Sequence, residues 1–184
     1  MIYDAISDKD LDLYIKGLKE LESLDVDFIV VVCNTIHLFY DKLQKSVNIP
    51  IIDLRKEVKK SLNKYNSALI IGTSNTIKKG LYRFHGIKLF EPSENEINRL
   101  NECIFNFNRG INKKLQARKV KDICQKYLKK GAQVVILGCT EFAVMLSQAN
   151  FPKINTIDVL INSTIEKSQL LKIRGNYYEY EKRE

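Results

Sequence analysis

Residues 134–142 read VVILGCTEF, and this stretch decides the fold together with residues 28–37, which read FIVVVCNTIH. In both stretches an apolar run typical of a buried strand precedes a cysteine, and a helical pattern follows it. The pattern predicts that Cys33 and Cys139 lie at the carboxyl ends of parallel strands, where open α/β sheets bind their ligands. Two such junctions favour a site in which two thiols face one another.

The rest of the chain alternates short apolar runs with longer helical patterns, which is typical of parallel sheets covered by helices. The predicted strands and extended segments are 27–32, 48–52, 68–71, 87–90, 134–137 and 154–157. The shared order of strand, cysteine, threonine and helix around Cys33 and Cys139 fits a duplicated unit. We therefore predict an α/β fold of two similar lobes, each with a parallel sheet flanked by helices.

A polar stretch at 63–67 is the predicted boundary between the lobes. The first lobe then takes residues 1–65 and, through a returning C-terminal helix, residues 159–184. The second lobe takes residues 66–158.

Local signals predict where the helices of the second lobe begin and end. Ser93 and Glu96 have the spacing of a capping box at the start of a long helix, and Gly110 is predicted to stop that helix. The next predicted helix, 113–130, ends in lysines followed by Gly131, which favours a left-handed glycine cap.

The composition of the 184 residues fits a globular protein, since 45% of them are hydrophobic. The formal net charge of +8 would suit an anionic partner, but the lysines spread along helix faces and do not alternate with aromatic residues. We therefore expect a solvated basic surface and no nucleic-acid partner. No apolar run approaches the length of a membrane span, and no signal peptide follows Met1, so we expect a cytoplasmic protein without a membrane partner.

The four cysteines are Cys33, Cys103, Cys124 and Cys139. They are widely separated and form no CxxC pair, so we predict reduced thiols and no metal site. Cys103 and Cys124 each fall on the apolar stripe of a predicted helix, where cysteine acts as a small hydrophobic residue. Cys33 and Cys139 remain as candidates for chemistry.

A pair of thiols is suited to inverting a carbon centre that carries a weakly acidic α-proton. A thiolate removes the proton from one face, and a thiol returns a proton to the other face. Both candidate cysteines directly precede predicted helices, whose N-terminal amides and dipole favour the thiolate and lower its pKa. The same amides, with nearby threonine hydroxyls, are suited to hold a carboxylate. These threonines are Thr35, Thr73, Thr76 and Thr140.

The segments CNTIH (33–37) and GCTEF (138–142) resemble the CNTxH and GCTE motifs of the aspartate/glutamate racemases, the family that works without pyridoxal phosphate. The two motifs occur in the family's order and each follows a predicted strand, so the pair is more specific than either motif alone. Further similar segments are Ile49-Pro50-Ile51-Ile52, Gly72-Thr73 with Thr76, and Gly131-Ala132. The resemblance spans nearly the whole chain.

This resemblance implies two similar α/β lobes with the active site between them, no cofactor, and a small acidic amino acid as the substrate. It implies that Cys33 and Cys139 exchange the α-proton of that substrate as two acid/base thiols. Glu141 looks like the aspartate racemase branch, because glutamate racemases usually have histidine at that place. The implied activity is interconversion of L- and D-aspartate, with glutamate as the other candidate, and the implied assembly is a homodimer.

The resemblance also implies which groups surround the substrate. The implied contacts of its carboxylate and amine are Asn34, Thr35, Thr73, Thr76 and Thr140. Arg109 looks like the place of a family lysine that pairs with the side-chain carboxylate, a role that arginine fills with two parallel hydrogen bonds. His37 and Glu141 are implied supporting residues.

Several of these residues also have a structural interpretation. His37 is either a buried structural histidine or a residue that tunes the Cys33 thiolate. Glu141 either supplies a favourable negative charge to the first turn of a helix or tunes Cys139. Arg109 either ends a helix in solvent or contacts the ligand.

Departures from the family pattern set an alternative beside this function. Family members begin with a strand, a Gly-Gly-x-Gly-Pro loop, a helix and a second strand, whereas this chain begins at the segment that matches Asp4. We therefore expect a first lobe without its opening strand-helix-strand unit, unless another subunit, a rearranged lobe or an upstream start supplies it. Asn162 also stands where a family histidine is expected. The alternative is a truncated, catalytically silent racemase homologue that acts as a binding or assembly protein.

Overall fold

The computed structural model describes the backbone of residues 8–181 and the side chains of residues 9–172. The helices are α1 (Asp8–Glu22), α2 (Tyr40–Lys45), α3 (Leu54–Ser61), α4 (Ser74–Lys78), α5 (Glu94–Asn108), α6 (Lys113–Lys129), α7 (Thr140–Met145) and α8 (Thr156–Glu181). The strands are β1 (Ser67–Gly72), β2 (Lys88–Phe90), β3 (Val134–Gly138) and β4 (Lys153–Asn155), and a 3₁₀ turn spans Thr35–Phe39. The protein is therefore of the α/β class, as the sequence predicts.

The four strands form one parallel sheet in the order β2-β1-β3-β4. The central strands β1 and β3 pair in register from Ala68 opposite Val134 to Gly72 opposite Gly138. Every residue of these two strands is buried, which is the usual condition of parallel strands flanked by helices. Their carboxyl ends meet at one edge of the sheet, so the residues that follow them, Thr73 and Cys139, come to the same side.

The carboxyl ends of β1 and β3 approach each other so closely that both strands end in glycine. A Cβ atom on Gly138 would lie 2.9 Å from Ile70 Cδ1 and 3.0 Å from the carbonyl oxygen of Ile71. A Cβ atom on Gly72 would lie 2.9 Å from Thr76 Cγ2. The glycines therefore allow the sheet and α4 to pack tightly directly beneath the edge that carries Thr73 and Cys139.

The predicted helix ends of the second lobe are confirmed. The Glu96 carboxylate accepts hydrogen bonds from the backbone N–H and the hydroxyl of Ser93, at 2.9 and 2.8 Å, in a complete capping box at the start of α5. Gly110 and Gly131 follow the ends of α5 and α6 with φ of 74° and 101°, in the left-handed region that glycine enters without strain.

The region before β1 is less regular than the sequence predicts. Its extended segment meets the chain around Ile51 through a single parallel bridge between Ile29 and Ile51, where a strand over 27–32 was expected. Ile29 and Val31 are buried, whereas Val32 is 59% exposed. A segment that pairs with only one short neighbour lacks the series of hydrogen bonds that makes a regular strand. Within the described residues, this single bridge is therefore found where the sequence predicts a second sheet.

Buried apolar side chains form two clusters. One runs from Leu11 to Ile51, and the larger one runs from Ile52 to Leu160 and includes the sheet. Helix α3, which the sequence assigns to the first lobe, contributes Val58 to the larger cluster and packs against α8. The lobe boundaries at 65 and 159 stay a prediction.

The last strand and helix are shifted from their predicted positions. The predicted strand over 154–157 is Lys153–Asn155, and α8 already begins at Thr156. The shift follows from Asn155, whose side-chain oxygen accepts the backbone N–H of Ile157 at 3.1 Å and so starts the helix early. None of the helices in the described part of the chain is both long enough and apolar enough to cross a membrane.

Candidate active site

A cleft of about 1130 Å³ opens at the carboxyl ends of β1 and β3. Both Cys33 and Cys139 line this cleft, although they lie far apart in the sequence. The other sequence-predicted site residues that line it are Asn34, Thr35, Thr73, Arg109, Thr140 and Glu141. The fold therefore brings the two junctions, from opposite halves of the chain, to one concave surface.

Cys139 and Glu141 form the most tightly bonded part of the cleft. The Cys139 thiol donates to Glu141 Oε2 at 2.8 Å, and the Thr140 hydroxyl donates to the same oxygen at 2.9 Å. The side-chain amide of Asn108 donates to Glu141 Oε1 at 2.9 Å. The thiol makes no capping hydrogen bond to α7, so its hydrogen bond is directed to the carboxylate.

These contacts set the protonation of both groups. Burial, followed by the charge of Glu141, raises the pKa of the Cys139 thiol well above its ordinary value. Burial alone would also raise the pKa of Glu141, but the hydrogen bonds from Cys139, Asn108, its own backbone and Thr140 outweigh it and lower that pKa. At neutral pH the pair is therefore a neutral thiol beside a carboxylate.

The expectation that the helix N-terminus lowers the thiol pKa is wrong for Cys139. The side chain is only 8% exposed, and a neighbouring negative charge opposes the thiolate. Both effects outweigh the short helix α7 that follows.

Cys33 lies in a different environment. It is partly exposed, and its neighbour across the cleft is Tyr14 of α1. Burial raises the pKa of the Tyr14 hydroxyl, and the charge of Cys33 and a hydrogen bond with Cys33 raise it further. The first thiol therefore lies near a phenol, whereas the second donates to a carboxylate.

Three threonine hydroxyls connect the first junction to the sheet. Thr35 Oγ1 lies 3.0 Å from the hydroxyl oxygens of both Thr73 and Thr76, and the Thr73 hydroxyl donates to that of Thr76 at 3.1 Å. Thr73 also caps α4 by accepting the backbone N–H of Thr76 at 3.3 Å. Thr35 and Thr73 line the cleft, whereas Thr76 is 1% exposed behind them.

Asn34 is anchored on both ends of its amide. Its Nδ2 donates to Thr156 Oγ1 at 3.1 Å, and the buried Tyr82 hydroxyl donates to its Oδ1. Thr156 in turn donates to the carbonyl oxygen of Leu137 at 2.8 Å. This network ties the Cys33 junction to β3 and to the start of α8.

His37 and Arg109 occupy opposite environments. His37 is fully buried, with Nε2 3.2 Å from the carbonyl oxygen of Val31 and its ring stacked on Tyr40. Burial lowers its pKa, its Nδ1 has no hydrogen-bond partner among the described residues, and it does not line the cleft. Arg109 is exposed at the cleft, with its guanidinium 5.2 Å above the Phe105 ring.

One face of α5 lines the cleft, which the sequence reasoning missed. Asn98, Asn101, Phe105 and Asn108 all line the cleft, and Asn101 donates to the Ser74 hydroxyl at 2.8 Å. Their spacing of three, four and three positions places them on one helix face, so an asparagine-rich stripe was a signal available in the sequence. Tyr14 was missed too, and its contact with Cys33 has no local signal.

Cys103 and Cys124 are buried in α5 and α6, as predicted. Burial raises the pKa of Cys103 and raises that of Cys124 to about 12. Neither residue lines the cleft.

Two thiols that line one cleft at the carboxyl end of a parallel sheet have the groups that acid/base chemistry on a small ligand needs. The chain belongs to the Asp/Glu/hydantoin racemase family, whose sequence pattern matches residues 3–164. The resemblance of CNTIH and GCTEF to racemase motifs is thereby confirmed, and the family is one of isomerases.

Relatives and solved structures agree with this family. The broad specificity amino-acid racemase RacX of Bacillus subtilis (strain 168) is 24% identical over 164 residues, which cover 82% of this chain and 69% of RacX. The glutamate racemase of Persephonella marina is 28% identical over 156 residues, which cover 75% of this chain and 56% of that protein. The crystal structure of an aspartate racemase homologue from Pyrococcus horikoshii OT3 has a TM-score of 0.74 at 24% identity, covering 87% of this chain and 74% of that one. This chain therefore shares their fold and spans only part of their length.

Proposed function

We propose that the protein is an amino-acid racemase that interconverts L- and D-aspartate, with glutamate as the alternative substrate. The observation that carries the proposal is that Cys33 and Cys139 line one cleft. Membership of the Asp/Glu/hydantoin racemase family supports the reaction class. We propose a reaction without a cofactor, because thiols of this chain can perform both proton transfers.

In the proposed reaction the Cys33 thiolate removes the α-proton from one face of the substrate, forming an S–H bond as the C–H bond breaks. The Cys139 thiol then donates its proton to the opposite face, forming the new C–H bond and leaving a thiolate. The other enantiomer reacts with the two roles exchanged. The hydrogen bond from the Cys139 thiol to Glu141 supports Cys139 as the proton donor of the first half of this cycle.

We assign the substrate contacts to the polar groups that line the cleft. The hydroxyls of Thr35, Thr73 and Thr140 and the amide of Asn34 are suited to the α-carboxylate and the amine. Thr76 supports them from behind, through its hydrogen bonds with Thr35 and Thr73. Arg109, which is exposed at the cleft, is suited to a bidentate pair with the side-chain carboxylate.

The choice of aspartate rests on the GCTE segment, in which Glu141 matches the aspartate branch of the family. The relatives described above are named for different substrates, and one of them is named for broad specificity. The proposal therefore commits to an acidic amino acid first and to aspartate second.

The test is exchange of the α-proton of L- and D-aspartate in D₂O, followed by proton NMR without added pyridoxal phosphate. The intact protein should replace the α-proton with deuterium and interconvert the enantiomers. Cys33→Ala and Cys139→Ala should each lower the interconversion rate by about 1,000-fold, the usual size of a general acid or base contribution.

Cys124→Ala is the matched control, because Cys124 is buried in α6 away from the cleft. It should keep the activity of the intact protein. Exchange that survives in both cleft variants contradicts the two-thiol mechanism. An intact protein that binds aspartate or glutamate without exchanging its α-proton is the catalytically silent homologue that the sequence offers as the alternative.

We also propose that the protein works in the cytoplasm as a homodimer. The resemblance to the racemases supports the dimer, and exposed apolar side chains such as Val144 and Ile161 are suited to an interface. Sedimentation of the full chain should give twice the 21.3 kDa mass of one chain. A species of single mass contradicts the dimer.

A further inference from the structure

Both carboxylate oxygens of Glu141 accept hydrogen bonds. Oε2 accepts the Cys139 thiol at 2.8 Å and the Thr140 hydroxyl at 2.9 Å, and Oε1 accepts the Asn108 amide at 2.9 Å. Cys139 and Thr140 are sequence neighbours of Glu141, whereas Asn108 comes from another helix. Asn108 therefore anchors Oε1, while Oε2 accepts the Cys139 thiol and the Thr140 hydroxyl.

The helix that carries Asn108 is well packed. It is the last residue of α5, a helix that begins with the Ser93 capping box and is followed by Gly110 in the left-handed region. Helix α5 packs against α6 and against α7, the helix that carries Glu141. A donor on a packed helix holds its partner at a defined distance better than a donor on a loop does.

We propose that Asn108 is a positioning residue that fixes the Glu141 carboxylate against Cys139 and so keeps a proton on this thiol in the resting protein. Cys139 is then the acid of the proposed reaction. The inference rests on the proposed function for its catalytic meaning. The protonation of Cys139 itself is measurable without turnover.

Other charged or titratable groups also face the cleft around Cys139. They are Asp10, Tyr14, Cys33, Glu102 and Arg109. Of these, Cys33 adds to the rise in the Cys139 pKa, after burial and Glu141. The variants below leave all five groups in place, so a change in Cys139 reports on Asn108 and Glu141.

The experiment is alkylation of the full chain by iodoacetamide over a range of pH, with the peptide of each cysteine followed by mass spectrometry. Because the thiolate is the reactive form, the midpoint of the Cys139 rate against pH reports its protonation. Glu141→Gln removes the neighbouring charge, and the midpoint should fall by about one pH unit or more. Asn108→Leu removes the donor to Glu141 Oε1, and the midpoint should also fall, but by less than in Glu141→Gln.

A double variant tests whether Asn108 acts through Glu141. If it does, the midpoint in Glu141→Gln with Asn108→Leu equals that in Glu141→Gln alone, because the second change has nothing left to act on. Asn106→Leu is the matched control, since Asn106 lies on the same helix outside the cleft lining. It should leave the midpoint unchanged. Asn108→Ala repeats the test without a new exposed leucine, and circular dichroism checks the fold of each variant.

An unchanged or raised midpoint in both Asn108 variants overturns the proposal, and so does an additive shift in the double variant. Failure of the racemase proposal looks different, because the midpoints then shift although no variant exchanges the α-proton. Where exchange occurs, the alkaline limb of its pH-rate profile should move to lower pH in Asn108→Leu, by the same amount as the midpoint. The reason is that the proton donor is lost as the pH rises through the pKa of Cys139.

Discussion

The two cysteine junctions share a local sequence order, but the segments that precede the two cysteines differ in strand pairing. Cys139 follows β3, which is paired on both sides and fully buried. Cys33 follows a segment with a single bridge, whose last residue, Val32, is 59% exposed. The comparison teaches that a strand-like sequence sets the alternation of side chains, whereas the number of partner strands decides whether a regular strand forms.

The junctions also differ in the chemistry around the sulfur. The Cys139 thiol donates to a carboxylate that two further donors, Asn108 and Thr140, hold in place. Cys33 lies near the phenol of Tyr14, whose pKa it helps to raise. A two-base reaction needs a proton donor, and the carboxylate beside Cys139 provides a physical reason why a proton rests on this thiol.

The largest difference in the free energy of unfolding should come from changing the residue directly before each cysteine, Gly138 or Val32. Gly138→Ala places a Cβ atom 3.0 Å from the carbonyl oxygen of Ile71 in the neighbouring strand. Because that backbone cannot withdraw, the free energy of unfolding should fall by about 3 kcal/mol. Val32→Ala removes exposed methyl groups and should change it by less than about 0.5 kcal/mol. Urea denaturation measures both, and equal losses contradict the difference in strand pairing.

An intermediate effect on the free energy of unfolding should appear at acid pH, through Glu96 of α5, the helix that also carries Asn108. Burial alone would raise the pKa of Glu96 at the start of α5, but hydrogen bonds from Lys126, Ser93 and Tyr127 lower it from 4.5 to about 2. Since the folded pKa lies below the unfolded value, this stabilisation is present above pH 4.5 and is lost as the pH falls towards 2.

Glu96→Gln should therefore lower the free energy of unfolding at neutral pH by on the order of 2 kcal/mol. It should also flatten the decline of stability across the acid window. Urea titrations at a series of pH values measure both quantities. A variant whose stability declines in acid as steeply as that of the intact protein contradicts this role of Glu96.

The smallest difference in the free energy of unfolding should be that between variants of the two junction threonines, Thr35 and Thr140. Thr35→Val removes a hydroxyl that lies 3.0 Å from both Thr73 and Thr76, and the free energy of unfolding should fall by about 1 kcal/mol. Thr140→Val removes one hydrogen bond at a half-buried position and should cost less. Thermal unfolding of the two variants makes the comparison, and a larger loss in Thr140→Val reverses it.

Local sequence signals predicted the parts of the fold that local physics controls. The buried runs of β1 and β3, the capping box at Ser93 and the glycine after α6 all appear where expected. The strand over 27–32 failed because strand pairing is a property of two segments, and the sequence of one segment does not state how many partners it finds.

The residues of the cleft could also be predicted only where a local pattern places them. Thr73 and Cys139 follow strands, so their side of the sheet could be read from the sequence. The asparagine stripe of α5 had the right spacing but no feature that named its partner. Tyr14 could not be found at all, because its contact joins α1 to Cys33 through the tertiary fold.

The sequence by itself determined the α/β class, the racemase family and the presence of two cysteine junctions, because these depend on residue types and their order. The tertiary structure alone decided the surroundings of the two thiols. The protonation of Cys139 depends on its burial and on the carboxylate beside it, and one donor that holds this carboxylate, Asn108, comes from another helix, α5.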